Sequence, residues 1–184
     1  MRLLHGDGLA LVRGGRVLFE GLDLHLDAGE ALHITGPNGS GKSSLIRLAA
    51  GLLRPTAGHI ERGKVALADE HLALDREQPL GRALGFWNGG EVPVSAMQAM
   101  GLHHLANVPV RLLSTGQSRR ARLARVIASQ SPLWLLDEPA NGLDSDGTER
   151  LARAIATHRS GGGAVLAASH QPLGPDWRQL ELGR

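Results

Sequence analysis

The sequence predicts an α/β domain with a mostly parallel sheet, N-terminal antiparallel strands and a small helical subdomain. Three observations support this class. Short apolar runs alternate with helical patterns at both ends of the chain, which is typical of a parallel sheet covered by helices. A glycine-rich stretch connects one apolar run directly to a helical pattern. The length of 184 residues fits one domain with room for a small inserted lobe.

The N-terminal region shows the weak alternation of antiparallel strands. Between residues 3 and 28, segments 17–19 and 22–26 are interpreted as strands, with turn residues at Gly14-Gly15 and at Gly29. The next segment, 31–35, is a short apolar run that predicts a buried strand ending at Gly36.

A helix is predicted over residues 42–50, because its apolar residues repeat with helical spacing and Gly51 then marks its end. Residues 65–68 predict another strand. From His71 to Val108 the pattern is mixed. Pro79 and Pro93 are candidate helix starts there, and they predict two short helices near 80–87 and 94–100.

The second half of the chain returns to alternating elements. A helix is predicted over 114–129, with Ser114 or Thr115 as its cap. It is followed by a strand at 133–136, a helix at 145–159, a strand at 164–168 and a last strand at 177–182. These elements predict a single domain over residues 1–184, with a core of about 1–70 and 131–184 and a helical subdomain of about 71–130.

Composition excludes several classes of function. Aromatic residues make up 3% of the chain and the net charge is +2, which argues against nucleic-acid binding by stacking or by charge. The chain has no cysteine, so thiolate metal sites and covalent haem attachment are excluded. The N-terminal residues lack the apolar stretch of a signal peptide, and the run at 133–136 is far shorter than the ~20 residues that span a bilayer.

The glycine-rich stretch matches the phosphate-binding pattern GxxxxGK[ST]. Its glycines allow backbone N–H groups to turn toward phosphate oxygens, and the helix that follows adds donors and positive potential. In this pattern the lysine reaches the β- and γ-phosphates and the serine hydroxyl ligates Mg²⁺. The residues are Gly36, Pro37, Asn38, Gly39, Ser40, Gly41, Lys42 and Ser43, followed by Ser44.

Two carboxylates end the strand predicted at 133–136. With this strand placed beside the phosphate-binding one, Asp137 is expected to hold Mg²⁺. Glu138 is expected to orient or deprotonate the attacking water. The alternative is that Asp137 and Glu138 merely form the polar end of a strand. This alternative is less favoured once a phosphate-binding loop is present in the same chain.

The string Ser114, Thr115, Gly116 and Gln117 precedes a long helix. As a helix N-terminus it offers N–H groups and a serine hydroxyl suited to a γ-phosphate. It lies twenty residues before Asp137, too far from the phosphate-binding loop for both to be assumed to serve one nucleotide. This spacing suggests a site shared between two molecules, and a capped helix is the alternative.

Taken together, these motifs resemble those of an ABC-transporter ATP-binding subunit. The phosphate-binding loop, LSTGQ, LLDEP, the stretch Asn141–Asp144 and Ser169-His170 occur in that family's order over essentially the whole chain. Within the family, the chain most resembles the haem-exporter subunits of cytochrome c biogenesis, on the stretch from Leu18 to Gly58 and on LSTGQSRRARLARV and SHQPL.

The resemblance implies an ATPase with ATP and Mg²⁺ as cofactors. It implies that LSTGQ is the signature motif, that Asp144 belongs to the D-loop and that His170 contacts the γ-phosphate. It also implies an ATP-dependent homodimer docked to a polytopic membrane subunit at the cytoplasmic face of the inner membrane, with no direct binding of haem. Glu138, His170 and Lys42 are then the expected catalytic residues.

Two positions depart from the family pattern. The family usually has a glutamine at the start of the helical subdomain that touches Mg²⁺, and here His71 or Glu70 occupies that place. An aromatic ring often stacks on adenine, and here the corresponding position is near Arg13. Arginine can stack on a base, and a less specific nucleotide pocket is equally compatible.

Alternative functions remain open at this point: another small bacterial ABC transporter, a soluble ABC ATPase of the translation or repair type, or a weakly hydrolysing regulatory module. The arginines at 119, 120, 122 and 125 form a basic cluster on the signature helix. We interpret them as a solvated face with phosphate-facing or salt-bridged members, since the net charge does not favour a nucleic-acid patch.

Overall fold

Two sheets form the frame of the protein in the computed structural model, which describes residues 1–171, 173–174 and 176–183. Pro172 of the SHQPL stretch lies outside the described residues. The strands are β1 Arg2–Arg13, β2 Arg16–Asp27, β3 Ala31–Thr35, β4 Ala57–Arg62, β5 Val65–Ala68, β6 Leu133–Asp137, β7 Ala164–Ala168 and β8 Arg178–Glu181. The first sheet is antiparallel with the order β2-β1-β4, and the second is parallel with the order β5-β6-β7-β3-β8.

Five α-helices occur among the described residues: α1 Lys42–Ala49, α2 Leu80–Gly85, α3 Val94–Ala99, α4 Thr115–Ala128 and α5 Ser145–Ser160. Short 3₁₀ turns lie at Phe86–Asn88, His103–Leu105 and Val110–Leu112. Within the described ranges, no helix combines the length and the apolar character needed to cross a bilayer.

The parallel sheet separates two apolar cores. Along β6, Leu133 and Leu135 pack toward α1 and the N-terminal sheet, whereas Trp134 and Leu136 pack toward α4, α5 and the helical lobe. Because successive side chains of a strand point to opposite faces, a continuous apolar run is required where both faces are buried. This explains why β6 and β7 lack the polar alternation of an exposed strand.

The N-terminal hairpin differs from its prediction in one respect. Gly14 and Gly15 have φ values of 56° and 74°, which suits the tight turn that connects β1 to β2. The two strands predicted at 17–19 and 22–26 are one strand, because β2 continues through Gly21 with an irregular register against β1. The positive φ of 64° at Gly21 absorbs this irregularity.

Strand β4 was not predicted. Only Ile60 of its residues is half-buried and the others are exposed, so the segment carries no apolar run. It is held by pairing with β1, including Gly6 opposite Ile60, and long-range pairing leaves no local signal. By contrast, the predicted helices of the second half appear within one or two residues of their expected ends.

The helical lobe contains the two short helices that the proline positions predict. Helix α2 begins after Pro79 and α3 begins after Pro93. Both pack against α4, whose buried face includes Leu123 and Val126. The division of the chain into a core and a helical subdomain at residues 71 and 131 stays a prediction.

Candidate active site

The phosphate-binding loop runs from the end of β3 to the start of α1, and its glycines are required sterically. Gly36, Gly39 and Gly41 have φ values of 137°, 80° and 102°. A Cβ atom at Gly36 would lie 2.3 Å from the backbone oxygen of Leu182, and one at Gly41 would lie 3.1 Å from Leu18 Cβ. The loop is therefore held in a conformation that other residues could not adopt.

Lys42 is 8% exposed and is already oriented toward the loop. Its ammonium group donates hydrogen bonds to the backbone oxygens of Gly36, at 2.7 Å, and Pro37, at 3.0 Å. Ser40 Oγ lies in the same loop, buried and without a hydrogen-bond partner in the structure. A buried hydroxyl without a partner is costly, so the loop has an unused polar group of the kind that a phosphate oxygen satisfies.

Ser43 and Asp137 meet directly, although the expected strand adjacency is wrong. The sequence predicts that β6 lies beside β3, whereas β7 lies between them. The contact forms nevertheless, because β3 and β6 end at the same edge of the sheet. Ser43 Oγ donates a hydrogen bond of 3.0 Å to Asp137 Oδ1.

The environment of Asp137 raises the pKa of its carboxyl group. Burial is the main cause, the hydrogen bond from Ser43 opposes it, and the neighbouring Glu138 carboxylate adds to the increase. A serine hydroxyl and a carboxylate are the oxygen donors that Mg²⁺ prefers. The described residues contain no cluster of three metal-ligating side chains.

Glu138 and His170 lie close together beside this pair. His170 Nε2 is 3.5 Å from Glu138 Oε1, and the two residues follow β6 and β7, which are adjacent strands. Glu138 has a positive φ of 47°, and its N–H donates to Ala168 O at 2.8 Å. A left-handed conformation at a non-glycine residue is costly and occurs preferentially at functional sites.

Lys42, Ser43, Glu138 and His170 line a cavity of about 930 Å³ at the carboxyl edge of the sheet. In α/β sheets, ligands bind outside the carboxyl ends of the strands. Arg13 also lines it, with Nη1 3.5 Å from Ser44 Oγ. The residues singled out from the sequence that line this cavity are Arg13, Asn38, Gly39, Gly41, Lys42, Ser43, Ser44, Glu138 and His170.

A second cavity, of about 650 Å³, adjoins the first. Ser43, Glu138 and Asn141 line both cavities, so the two spaces meet at the candidate catalytic groups. The remaining lining residues of the second cavity are Arg47, Glu70, Leu72, Thr115, Ser118, Arg119, Arg122 and Asp137.

None of the four signature residues lines the first cavity. Ser114, Gly116 and Gln117 line neither cavity, whereas Thr115 lines the second one together with Ser43. The signature residues were expected to lie far from the phosphate-binding loop, but Thr115 shares a cavity with Ser43 of that loop. Ser114 caps α4: its Oγ accepts from Gln117 N at 3.2 Å, and Gln117 Oε1 accepts from Ser114 N at 2.8 Å.

His71 lies away from the other candidate magnesium ligands in this structure, and its role as a metal ligand stays a prediction. Its side chain is 70% exposed, lines neither cavity and pairs with Asp69 at 3.2 Å. Glu70, the second possibility, lines the second cavity and pairs with Arg47 at 3.3 Å. The physical reason is the turn after β5, in which Asp69 accepts a hydrogen bond from His71 N at 3.0 Å.

Asp144 acts as a helix cap in the single chain. Its Oδ1 accepts a hydrogen bond of 2.8 Å from Gly147 N at the start of α5, and it lines neither cavity. Its neighbours Gly142 and Leu143 line the first cavity. The predicted D-loop role of Asp144 stays a prediction.

The interpretation of the signature-helix arginines as a solvated face is wrong for two of them. Arg122 and Arg125 are 8% and 6% exposed, and they donate hydrogen bonds to the backbone oxygens of Asp69 and Leu67. Arg120 pairs with Asp146 at 3.5 Å, as the salt-bridge alternative expects. The burial of these two side chains could not be predicted from the helical pattern of α4, because arginine normally indicates a solvent-facing position.

Sequence reasoning missed two polar residues of the second cavity, Arg47 and Ser118. Arg47 lies four residues after Ser43 on α1, and residues four apart share one face of a helix. That spacing was a usable signal. Asn141 belongs to the Asn141–Asp144 stretch named in the sequence analysis, but its place between the two cavities was not predicted.

The fold and this site define an ATP-binding cassette, and the comparisons with known proteins agree. Residues 19–141 match the family described as "ABC transporter". A solved ATP-binding subunit of an ABC transporter superposes with a TM-score of 0.86 at 21% identity, covering 98% of this chain and 85% of that one. The chain belongs to the ABC transporter family, as an ATP-hydrolysing subunit.

Curated relatives show which members of the family this chain is similar to. A protein of Sphingopyxis alaskensis is 58% identical over 98% of this chain and 97% of its own length. Another, from Novosphingobium aromaticivorans, is 57% identical over 90% and 87%. Both are named "Cytochrome c biogenesis ATP-binding export protein CcmA".

Proposed function

We propose that this chain binds and hydrolyses Mg-ATP to energise the export of haem for cytochrome c biogenesis. The observation that carries the proposal is the convergence of Lys42, Ser43, Asp137, Glu138 and His170 on one edge of the sheet. The names of the curated relatives support the cellular role. Haem is here the cargo of the assembled transporter and is not bound by this subunit.

Lys42 is the residue that changes partners when ATP binds. Without nucleotide its ammonium group is satisfied by the carbonyl oxygens of Gly36 and Pro37. The β- and γ-phosphates offer a stronger, charged acceptor at the same loop. Exchange of the carbonyl contacts for phosphate contacts places a positive charge where negative charge develops during transfer.

Ser43 and Asp137 are the residues that would hold Mg²⁺, which when bound neutralises phosphate charge during hydrolysis. Glu138 is expected to accept a proton from the attacking water or to orient it. His170, which is 3.5 Å from Glu138, is expected to contact the γ-phosphate and to hold Glu138 in position.

Two copies of the chain are proposed to form the active unit. Ser114 and Thr115 are exposed, and Ser114, Gly116 and Gln117 line neither cavity of their own chain. A signature motif that does not face the chain's own nucleotide is suited to cover the nucleotide of a second copy. The ATP-dependent closure of that dimer provides the mechanical stroke.

The partner is proposed to be a polytopic membrane subunit, with this chain peripheral at the cytoplasmic face of the inner membrane. Leu52 and Phe86 are 62% and 78% exposed and line one groove with Trp87 and Asp69. The groove is linked to the second cavity through Asp69, which adjoins Glu70 in the chain and whose backbone oxygen accepts a hydrogen bond from Arg122. An apolar segment of the membrane subunit seated there would sense changes in the second cavity.

Replacement of Lys42 by alanine tests the proposal. We expect turnover of Mg-ATP to fall by about 100-fold or more, because a charge that stabilises the transition state is removed. In cells carrying this variant, covalent c-type haem should disappear from haem-stained gels while b-type cytochromes persist. Near-normal turnover would overturn the assignment of the phosphate-binding loop. Normal c-type cytochromes with abolished turnover would overturn the haem-export role alone.

A further inference from the structure

The second cavity offers a continuous path away from the candidate catalytic groups. It shares Ser43, Glu138 and Asn141 with the first cavity, so the two spaces join at residues proposed to act on the γ-phosphate. Its far wall is formed by α4, through Thr115, Ser118, Arg119 and Arg122. The space of about 650 Å³ is far larger than a phosphate ion requires.

Charge is distributed unevenly along this path. The shared end carries the carboxylates of Asp137 and Glu138. The carboxylate of Glu70 is paired with Arg47, which leaves Arg119 and Arg122 as the positive groups of the far wall. An anion in this cavity is therefore repelled at the catalytic end and attracted toward α4.

Arg122 is the most informative of these residues. It is 8% exposed, and in the described ranges its guanidinium forms no ion pair with a carboxylate. It donates through Nη1 to Asp69 O, and its Nε is buried without a partner. Burial lowers its pKa and the charge of Arg119 adds to that change, while the Asp69 and Asp137 carboxylates oppose it. A buried cation that lacks an anion is costly, and a bound anion would remove that cost.

Arg119 adds a second guanidinium to the same wall. Its Nη1 donates to Gly142 O at 2.7 Å, and it too forms no ion pair with a carboxylate in the described part of the chain. Arg120, the next residue, faces elsewhere and pairs with Asp146 at 3.5 Å. Two neighbouring arginines thus differ in whether their charge is already matched.

We propose that the second cavity is an exit subsite for inorganic phosphate, held by Arg119 and Arg122 after hydrolysis. The inference rests on the proposed ATPase function. In hydrolysis the water oxygen bonds to the γ-phosphorus, and the bond from that phosphorus to the bridging oxygen breaks. ADP keeps that oxygen with its electron pair, one proton of the water passes to Glu138, and the other stays on the phosphate. The phosphate then moves from the carboxylates toward the arginines.

Phosphate binding to the nucleotide-free full chain, measured by isothermal titration calorimetry with inorganic phosphate, tests this subsite without hydrolysis. Wild type should bind two phosphates, one in each cavity. Arg119→Gln should weaken the second by about tenfold, which corresponds to about 1.4 kcal/mol. Lys42→Ala should weaken the first alone. Arg120→Gln is the matched control and should change neither.

Arg122→Lys provides an independent arm, because it keeps the charge and removes the planar fork that binds phosphate. It should weaken the second phosphate while thermal unfolding shows a folded chain. If all phosphate binding depends on Lys42 and none on Arg119 or Arg122, the exit subsite is overturned while the ATPase assignment stands. If wild type fails to hydrolyse ATP, the proposed function fails whatever the phosphate titration gives.

Discussion

Helices α1 and α4 both begin in a glycine-containing motif, but their N-termini differ in whether a side chain already caps the first backbone N–H groups. At α1 the N-cap is Gly41, which has no side-chain cap, so the first N–H groups remain available. At α4 the reciprocal bonds of Ser114 and Gln117 already cap the helix. This difference fits the proposal that the first N-terminus is a phosphate site within one chain and that the second is a surface completed by another molecule.

The space around the glycines shows the same contrast. A Cβ atom at Gly36 would collide with the backbone of Leu182, whereas a Cβ atom at Gly116 would meet nothing within 4 Å. The single chain therefore gives a steric reason for glycine in the loop before α1, but it gives none at the start of α4. If Gly116 is required, the requirement must come from a second copy or its nucleotide.

The largest expected effect comes from Gly36→Ala. The substitution places a Cβ atom 2.3 Å from Leu182 O, at a φ of 137° that alanine rarely adopts. We expect ATP affinity to fall by about 100-fold, because the loop must shift and lose its phosphate-facing N–H groups. Titration with a fluorescent ATP analogue measures this change. Unchanged affinity would mean that the loop does not cradle the phosphates.

Gly116→Ala is the matched substitution at the other helix. Since the added methyl group has open space, the variant should keep its fold and gain up to about 0.5 kcal/mol of stability in thermal unfolding. Binding of ATP to the monomer should also be unchanged. Turnover should nevertheless fall by about tenfold, because a methyl group would obstruct the close approach of a second copy's nucleotide. Full turnover would remove the reason to treat α4 as a shared surface.

The sequence predicted the phosphate-binding edge better than the signature side, for a physical reason. The motif Gly36–Ser43 forms a local strand–turn–helix unit, so its pattern alone determines its structure. Asp137 and Glu138 were placed correctly at the same edge even though β7, and not β3, is the neighbour of β6. The carboxyl ends of parallel strands share an edge whatever the strand order.

The elements that sequence reasoning misplaced depend on tertiary packing. Glu70 reaches the second cavity in place of His71 because of the turn made by Asp69 after β5. Arg122 and Arg125 are buried because backbone oxygens near the end of β5 accept their hydrogen bonds. Neither arrangement leaves a periodic signal in the chain, and an arginine by itself predicts exposure.

The smallest effect is expected from a substitution of His158, which lies away from the nucleotide edge. It tests whether the difference between the N-termini of α1 and α4 is independent of the rest of the fold. Trp134 stacks on His158 with ring centroids 3.9 Å apart. Burial lowers the pKa of His158, more than the Ala164 and Pro132 backbone groups raise it. As the pH falls below about 6.5, the unfolded chain takes up this proton before the folded chain does.

Stability should therefore be complete above pH 6.5 and should decrease on acidification, by at most about 1.4 kcal/mol per pH unit from this group. His158→Gln should flatten the dependence of the free energy of unfolding on pH between 7 and 5. Urea unfolding at several pH values provides the measurement. An unchanged slope would show that His158 titrates normally in the folded chain. In either case ATP binding should be unaffected.

The central claim is that one chain binds ATP and two chains are needed to use it. Glu138→Gln keeps the side-chain shape and removes the proton acceptor, so ATP should stay bound and the closed dimer should accumulate. Size-exclusion chromatography with light scattering should give a monomer without nucleotide or with ADP, and a dimer with Mg-ATP. A monomer with Mg-ATP, under conditions in which ATP is demonstrably bound, would contradict the account.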